Sequence, residues 1–194
     1  MIDAGEILPN TLIPDIPTVL NGFSPQNYNN TFDGAVTAKR ALSRSLNIPA
    51  VRMLREHGIT PFNYTLKRLG MTTLTKPPQY YGLSIVLGGA EGSLWELAGM
   101  YASCSRVLNH FFEYSGKYSA DDIHPPVYIL KKKSPNNVVL RNESVLSAAS
   151  IWLTYKSLIE VARPEQEEGW KSFSSSNQIA WKTDASGYVY VKDW

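Results

Sequence analysis

Two short groups of side chains in this 194-residue sequence could do chemistry. The first is Ser45-Leu46-Asn47, at the end of a stretch with helical spacing, where a hydroxyl and an amide can face one cleft. The second is Trp181-Lys182-Thr183-Asp184-Ala185-Ser186, on a stretch with strand pattern and its turn. Lys182 supplies charge, and Thr183 and Ser186 supply hydrogen bonds, the set a carboxylate needs. Taken alone, each group has a plainer reading: Asn47 as a helix cap, Lys182 as an exposed strand lysine. Cys104 is the only cysteine, so there is no internal disulfide and no cysteine pair for zinc. Among apolar helix positions it reads as a buried, inert thiol. No metal or cofactor is expected.

The elements that must position these groups are legible from their start and stop signals. Thr37 caps a helix over Ala38 to Leu46, and Pro49 starts a second that Gly58 ends. Thr60-Pro61 starts a third, ended by Gly70. Tyr81 to Gly89 is apolar and reads either as a strand or as a buried loop leading into a helix. Ser93-Leu94-Trp95-Glu96 is a capping box opening the next helix. Val127 to Leu130 and Val138 to Leu140 bracket a turn and predict a β-hairpin. Asn142 or Ser144 caps a helix from Val145 to about Ala162, which Pro164 closes. Gln178 to Thr183 and Tyr188 to Val191 read as strands. Pro9, Pro14, Pro17 and Pro25 argue against regular structure between Leu8 and Thr31, which reads as an extended surface loop.

Composition bounds the function classes. With 43% hydrophobic and 19% charged residues the chain is ordinary globular protein, not a disordered one. A net charge of +2 is too balanced to imply a nucleic-acid partner, and Lys131-Lys132-Lys133 reads as a solvated strand end. There is no apolar run long enough to span a membrane, and Met1 to Glu6 do not read as a signal peptide.

In order along the chain, four landmarks resemble one family. Ala41 to Arg52, around Ser45-Leu46-Asn47, is similar to the S-x-N segment of bifunctional penicillin-binding proteins. Tyr81 to Glu91, running into Leu94-Trp95-Glu96-Leu97-Ala98, resembles the family's next landmark. Ala180-Trp181-Lys182-Thr183 looks like the start of its K-T-G strand, and the Trp before the Lys points to the 1C type. Asp3-Ala4-Gly5 and Pro14-Asp15-Ile16-Pro17-Thr18 resemble the stretch after the family's nucleophile.

The resemblance implies an α+β, β-lactamase/transpeptidase-like fold, present in part: mostly the helical portion plus strands around the K-T-G position. It implies residues 1–194 as a partial transpeptidase domain, without the family's glycosyltransferase domain and membrane anchor. The family's domain is a serine DD-transpeptidase that cross-links peptidoglycan stem peptides and is acylated by β-lactams. By this likeness Ser45 relays protons, Asn47 holds the substrate amide, and Lys182, Thr183 and Ser186 bind the terminal carboxylate, on the periplasmic side of the inner membrane. Two departures matter. Asp184 stands where the family has the glycine of K-T-G, adding bulk and negative charge where a carboxylate would bind. The family's Ser-x-x-Lys nucleophile motif is absent from these residues; Thr73-Leu74-Thr75-Lys76 is the nearest approach, with threonine for serine and on the wrong side of Ser45. The first residues read as the last turn of a helix with Gly5 as its stop, so the expectation is a truncated domain, inactive alone and prone to associate through uncovered apolar faces. The alternative is a module that binds stem peptides or β-lactams without turnover. On either reading, labelled β-lactam incubated with the chain leaves no covalent adduct; an acyl-protein on any serine, seen by intact mass, would contradict it.

Overall fold

The structure, a computed structural model, describes residues 1–129 and 138–159. The chain divides into two compact units, one holding Met1–His57 and the chain from Leu153, the other Gly58–Trp152.

In the first unit, Met1 to Gly5 form one turn. Gly5 N–H donates to the Ile2 carbonyl and Glu6 N–H to the Met1 carbonyl, both at 3.0 Å. This pair is how a helix end closes, and Gly5 supplies the positive φ it requires. Strand β1 (Leu12–Asp15) pairs antiparallel with β2 (Gly34–Thr37), Leu12 opposite Thr37 and Asp15 opposite Gly34. The proline-rich segment therefore contains regular structure, against expectation. A two-stranded ribbon leaves each strand an open edge, where Pro14 has no N–H to waste. Ile13 and Asp15 turn inward while Leu12 and Pro14 stay exposed.

Helix α1 (Ala38–Ser43) opens as expected, Thr37 Oγ1 accepting the Arg40 N–H at 3.3 Å, but it stops short of Leu46. Helix α2 (Asn47–His57) begins ahead of Pro49, which sits in its first turn, where a missing N–H is no loss. Ile48, Val51 and Leu54 are buried along α2, and Val36, Ala41 and Leu46 cluster with Met53 packed against them. α1 packs on β2 and α2, and α2 packs on β1.

The second unit opens with α3 (Ile59–Arg68), lying between Gly58 and Gly70 as the sequence predicts. Helix α4 (Pro78–Tyr81) leads into a 3-10 helix over Gly82–Leu87, so the apolar segment is neither a strand nor a plain loop. Gly88, at φ 95°, ends it, and Gly89 N–H donates to the Ser84 carbonyl at 2.8 Å. A Cβ on Gly89 would lie 2.8 Å from the Ser84 carbonyl carbon, so only glycine fits. Helix α5 (Leu94–Glu113) carries the expected capping box: Ser93 Oγ accepts the Glu96 N–H at 3.1 Å, and Ser93 N–H donates to Glu96 Oε2 at 3.0 Å.

Strand β3 (Tyr118–Ser119) pairs with β4 (Leu140–Arg141). This corrects the predicted hairpin: Leu140 pairs with Ser119, Val127–Ile129 is not in a strand, and residues 130–137 lie outside the described residues. Tyr118 explains the choice. Its ring packs 5.1 Å from that of Phe111 on α5, and its hydroxyl accepts the Ala148 N–H at 3.1 Å, which anchors this edge for pairing. Helix α6 (Ala148–Ile159) starts after the predicted Val145, with Ser147 Oγ accepting the Ser150 N–H at 3.2 Å. The predicted strands over 178–183 and 188–191 lie outside the described residues. Cys104, expected to be buried, is half-buried.

Side chains fasten the segment after β3 to α5. Arg106 donates to the Asp122 and His124 carbonyls at 2.9 Å and to Ser103 Oγ at 2.8 Å. Buried Asp122 accepts the Ser119 N–H at 3.0 Å and faces His110 Nδ1 at 2.5 Å. Burial pushes the Arg106 guanidinium down from its ordinary pKa, and the Asp122 charge opposes that. A Cβ on Gly99 would meet the Pro126 ring at 2.8 Å, so α5 needs a glycine where Pro126 crosses it.

Glu96 does more than cap its helix. Its carboxylate also accepts the Thr72 and Thr73 N–H groups at 2.7 and 2.9 Å and lies within hydrogen-bonding reach of both threonine hydroxyls. The Ser93 N–H, then the Thr72 hydroxyl, hold the Glu96 carboxyl well below the usual carboxylate range. A carboxyl depressed in the folded state stabilises above its unfolded pKa, and that stability is lost as pH falls through the folded value. Between pH 7 and pH 3, the wild-type melting temperature is expected to fall more than that of Glu96→Gln, which starts lower at pH 7. Parallel pH profiles would refute this role for the carboxylate.

Candidate functional site

Ser45, Leu46 and Asn47 form the turn between α1 and α2. Leu46 N–H donates to the Ala41 carbonyl at 3.0 Å and Ser45 N–H to the Leu42 carbonyl at 3.2 Å, the paired bonds that end a helix. That closure places its middle residue in the left-handed region, normally occupied by glycine. Here it is Ser45, at φ 55°. A non-glycine residue there costs roughly 1–2 kcal/mol. Ser45 and Asn47 are both half-buried, so solvent or a ligand can reach them.

The turn is held from outside itself. Asn47 Nδ2 donates to the Gln26 carbonyl at 2.8 Å. A carbonyl can only accept, so this bond fixes which end of the amide is Nδ2 and leaves Oδ1 available to accept. Asn27 Oδ1 accepts the Ile48 N–H at 3.3 Å, while Asn27 Nδ2 donates to Asp15 Oδ1 at 2.8 Å and to the Thr31 carbonyl at 3.0 Å. Asp15 is only 1% exposed, and its Oδ2 accepts the Asp33 N–H at 3.0 Å. Asp33 in turn takes Arg44 Nη1 at 2.9 Å, one residue before Ser45. The turn is thus gripped on both sides by one loop, and Asp15 holds that loop.

Sequence reasoning selected Ser45 and Asn47 and missed Asp15, Gln26, Asn27 and Asp33 as their supports. One signal was present: Asp15 alternates with Ile13 on the inward side of a strand, where an acid needs buried donors. Lys182, Thr183, Asp184 and Ser186 lie outside the described residues. Thr73 is no substitute nucleophile. Its hydroxyl lies 2.8 Å from the Glu91 carbonyl and 2.9 Å from Glu96 Oε2, while the Lys76 ammonium sits 6.0 Å from the Tyr80 ring centroid. The first unit also has a cleft of about 490 Å³, lined by Glu6, Ile13, Arg52 and Met53 among others, but neither Ser45 nor Asn47 lines it. Among the described residues, no three His, Cys, Asp or Glu side chains group as a metal site, and no helix is long and apolar enough to cross a membrane.

No family model matches the chain. Penicillin-binding protein 1C of Escherichia coli (strain K12) is 26% identical over 193 residues, which is 100% of this chain and 22% of that protein. The relatives of this chain are penicillin-binding proteins. Penicillin-binding protein 1F of Bacillus subtilis (strain 168) is 31% identical over 113 residues, covering 57% of this chain and 14% of that protein. Penicillin-binding protein 1A of Rickettsia felis is 30% identical over 117 residues, again 14% of its own length. The chain thus spans about a fifth or less of the curated relatives it matches. A solved structure, described as a peptidoglycan glycosyltransferase from Burkholderia ambifaria, matches with a TM-score of 0.57 and 19% identity, over 84% of this chain and 52% of that one. At that identity the likeness concerns the fold.

Strain at Ser45 gives this turn a measurable signature. Ser45→Gly is expected to stabilise the protein by about 0.5–1 kcal/mol, relief of the left-handed residue outweighing glycine's greater entropy loss. A denaturant midpoint that falls instead would show that the serine hydroxyl, not the backbone, dominates at this position.

Proposed function

We propose that this chain is the substrate-holding part of a serine acyl-transfer domain of the penicillin-binding type, acting in peptidoglycan synthesis outside the cytoplasmic membrane. The observation that carries the reading is the Ser45-Leu46-Asn47 turn, a strained serine beside an asparagine whose amide is fixed in one orientation. Strain of this kind persists only where its surroundings over-determine it; Ser115 shares it at φ 50°, so what singles this turn out is the Asn47 amide held beside it. The relatives' names support the same broad process.

On this reading the ligand is a peptide ending in D-Ala-D-Ala. Asn47 Oδ1 accepts a backbone N–H of the stem, Ser45 Oγ lies beside the peptide bond under attack, and Lys182, Thr183 and Ser186 receive the terminal carboxylate. Asp184 works against the last of these, adding like charge where the carboxylate goes. These 194 residues contain no Ser-x-x-Lys. Acyl transfer begins with a hydroxyl made nucleophilic by a neighbouring base, so these residues hold substrate and do not form the acyl-enzyme. The fold we propose is correspondingly the helical portion of a transpeptidase-like domain.

A second reading, glycosyl transfer, follows from the description of the solved structure from Burkholderia. Cleavage of a glycosidic bond by hydrolases ordinarily uses paired carboxyl groups flanking it, and by analogy acids are the groups to look for here. Among the described residues, Asp15, Glu96 and Asp122 are buried and occupied in holding backbone. Glu6 and Glu56 line the cleft of the first unit, where His57 and Arg55 engage them. The fixed amide of Asn47 in the Ser45-Leu46-Asn47 turn is the observation that favours the acyl-transfer reading.

Titration calorimetry with acetyl-lysyl-D-alanyl-D-alanine separates the two. The wild-type chain is expected to bind it, and Asn47→Ala and Lys182→Ala each to weaken binding by about tenfold, the effect of one good polar contact. Absence of binding by the folded wild type, or polymerisation of a lipid-linked disaccharide by the chain, would overturn the proposal.

A further inference from the structure

We infer that Asp15 and Asn27 are positioning residues for the Ser45-Leu46-Asn47 turn, setting where its hydroxyl and amide stand without touching substrate themselves. The inference rests on the reading of that turn as a substrate-holding site.

The need arises in α2 itself. A helix presents unsatisfied N–H groups at its start, usually met by a Ser, Thr, Asp or Asn side chain just before it. The residue before α2 is Leu46, whose side chain has no acceptor. Asn27, on a loop 21 residues earlier, supplies one, accepting the Ile48 N–H at 3.3 Å. The neighbouring Gln26 carbonyl takes Asn47 Nδ2 at 2.8 Å. The segment Gln26-Asn27 thus caps α2 and orients the Asn47 amide in one stroke.

An asparagine side chain can turn over and exchange its donor and acceptor ends; here it cannot do so without loss. Both N–H groups of Asn27 are used, one on Asp15 Oδ1 and one on the Thr31 carbonyl. Asp15 cannot donate while ionised, so it demands the Nδ2 end and leaves Oδ1 pointing at Ile48. The same carboxylate holds the Asp33 N–H, and Asp33 pairs with Arg44 on the other side of Ser45. One buried charge therefore fixes both flanks of the turn. The arrangement positions rather than merely packs, because it depends on donor and acceptor identity and not on volume.

Hydrogen exchange followed by NMR tests this directly, alongside binding of acetyl-lysyl-D-alanyl-D-alanine. In Asn27→Ala the Ile48 amide is expected to exchange about tenfold faster, the loss of one hydrogen bond, while the Leu54 amide in the middle of α2 is unchanged. Peptide binding should weaken more than in Val107→Ala, a core truncation in the other unit. The swapped pair, Asp15→Asn with Asn27→Asp, keeps a donor–acceptor bridge and an acceptor for Ile48, but it loses the bond to Thr31 and sets a carboxylate oxygen against that carbonyl. It should keep the Ile48 amide better protected than Asn27→Asp alone, which carries the same clash at Thr31 and also sets two carboxylates against each other. If Asn27→Ala fails to fold, the comparison of the swap with its single parents carries the test. Unchanged exchange at Ile48 in Asn27→Ala, or a swap no better than its worse parent, overturns the inference while leaving the ligand reading intact. Wild type that binds no peptide overturns the ligand reading, even with the exchange pattern as expected.

Discussion

A single buried carboxylate organises the part of this protein that most resembles a site. Asp15 lies almost wholly out of water, where an ionised group survives only if donors surround it. Those donors come from Asn27 and from the backbone of Asp33, so the cost of burying the charge is met by tying two stretches of one long loop to β1. Hydrogen bonds to charged groups contribute about 1.5–3 kcal/mol each, against about 1 kcal/mol for neutral ones. That difference is what makes the loop between β1 and β2 a fixed object despite its scant regular structure. Its fixity passes to Ser45 and Asn47 through Gln26, Asn27 and Asp33.

The second unit follows the same economy with different residues. Glu96 gathers the backbone of Thr72, Thr73 and Ser93, and Asp122 gathers Ser119 and His110. Glu96 takes up backbone N–H groups just outside regular structure, and Asp122 takes the Ser119 N–H at the end of β3 and faces the His110 ring. Arg106 does the converse for the carbonyls of Asp122 and His124. Such groups are weak evidence of catalysis. Their hydrogen-bonding capacity is spent on backbone, which leaves little for a substrate.

What could be read from the sequence follows this division between local and distant partners. The capping box at Ser93 and Glu96, the Thr37 cap and the glycines at 58 and 70 act over three or four residues, and each lies where the pattern put it. The strand at Leu12–Asp15 was hidden by Pro14, because its tolerance there depends on being at an edge, which is a tertiary fact. The pairing of Leu140 was hidden for a like reason: Tyr118 is chosen by its packing on Phe111, not by turn residues nearby. Of the candidate site, Ser45 and Asn47 stood out through their resemblance to a known segment. Asn27 did not, since one asparagine in an asparagine-rich loop carries no mark of being the one that caps a helix.

The reach of Asn27 also bears on how the protein acquires its shape. The Ser93–Glu96 box closes over a separation of three residues and can form as soon as its own helix does. The bond from Asn27 to Ile48 spans 21 residues, so the loop must shut before α2 receives its cap, and chain entropy is spent before any return. The start of α2 should therefore be among the later parts of its unit to rigidify, and a nascent chain would carry a frayed, solvent-open version of the Ser45 turn until β1 and the loop have met.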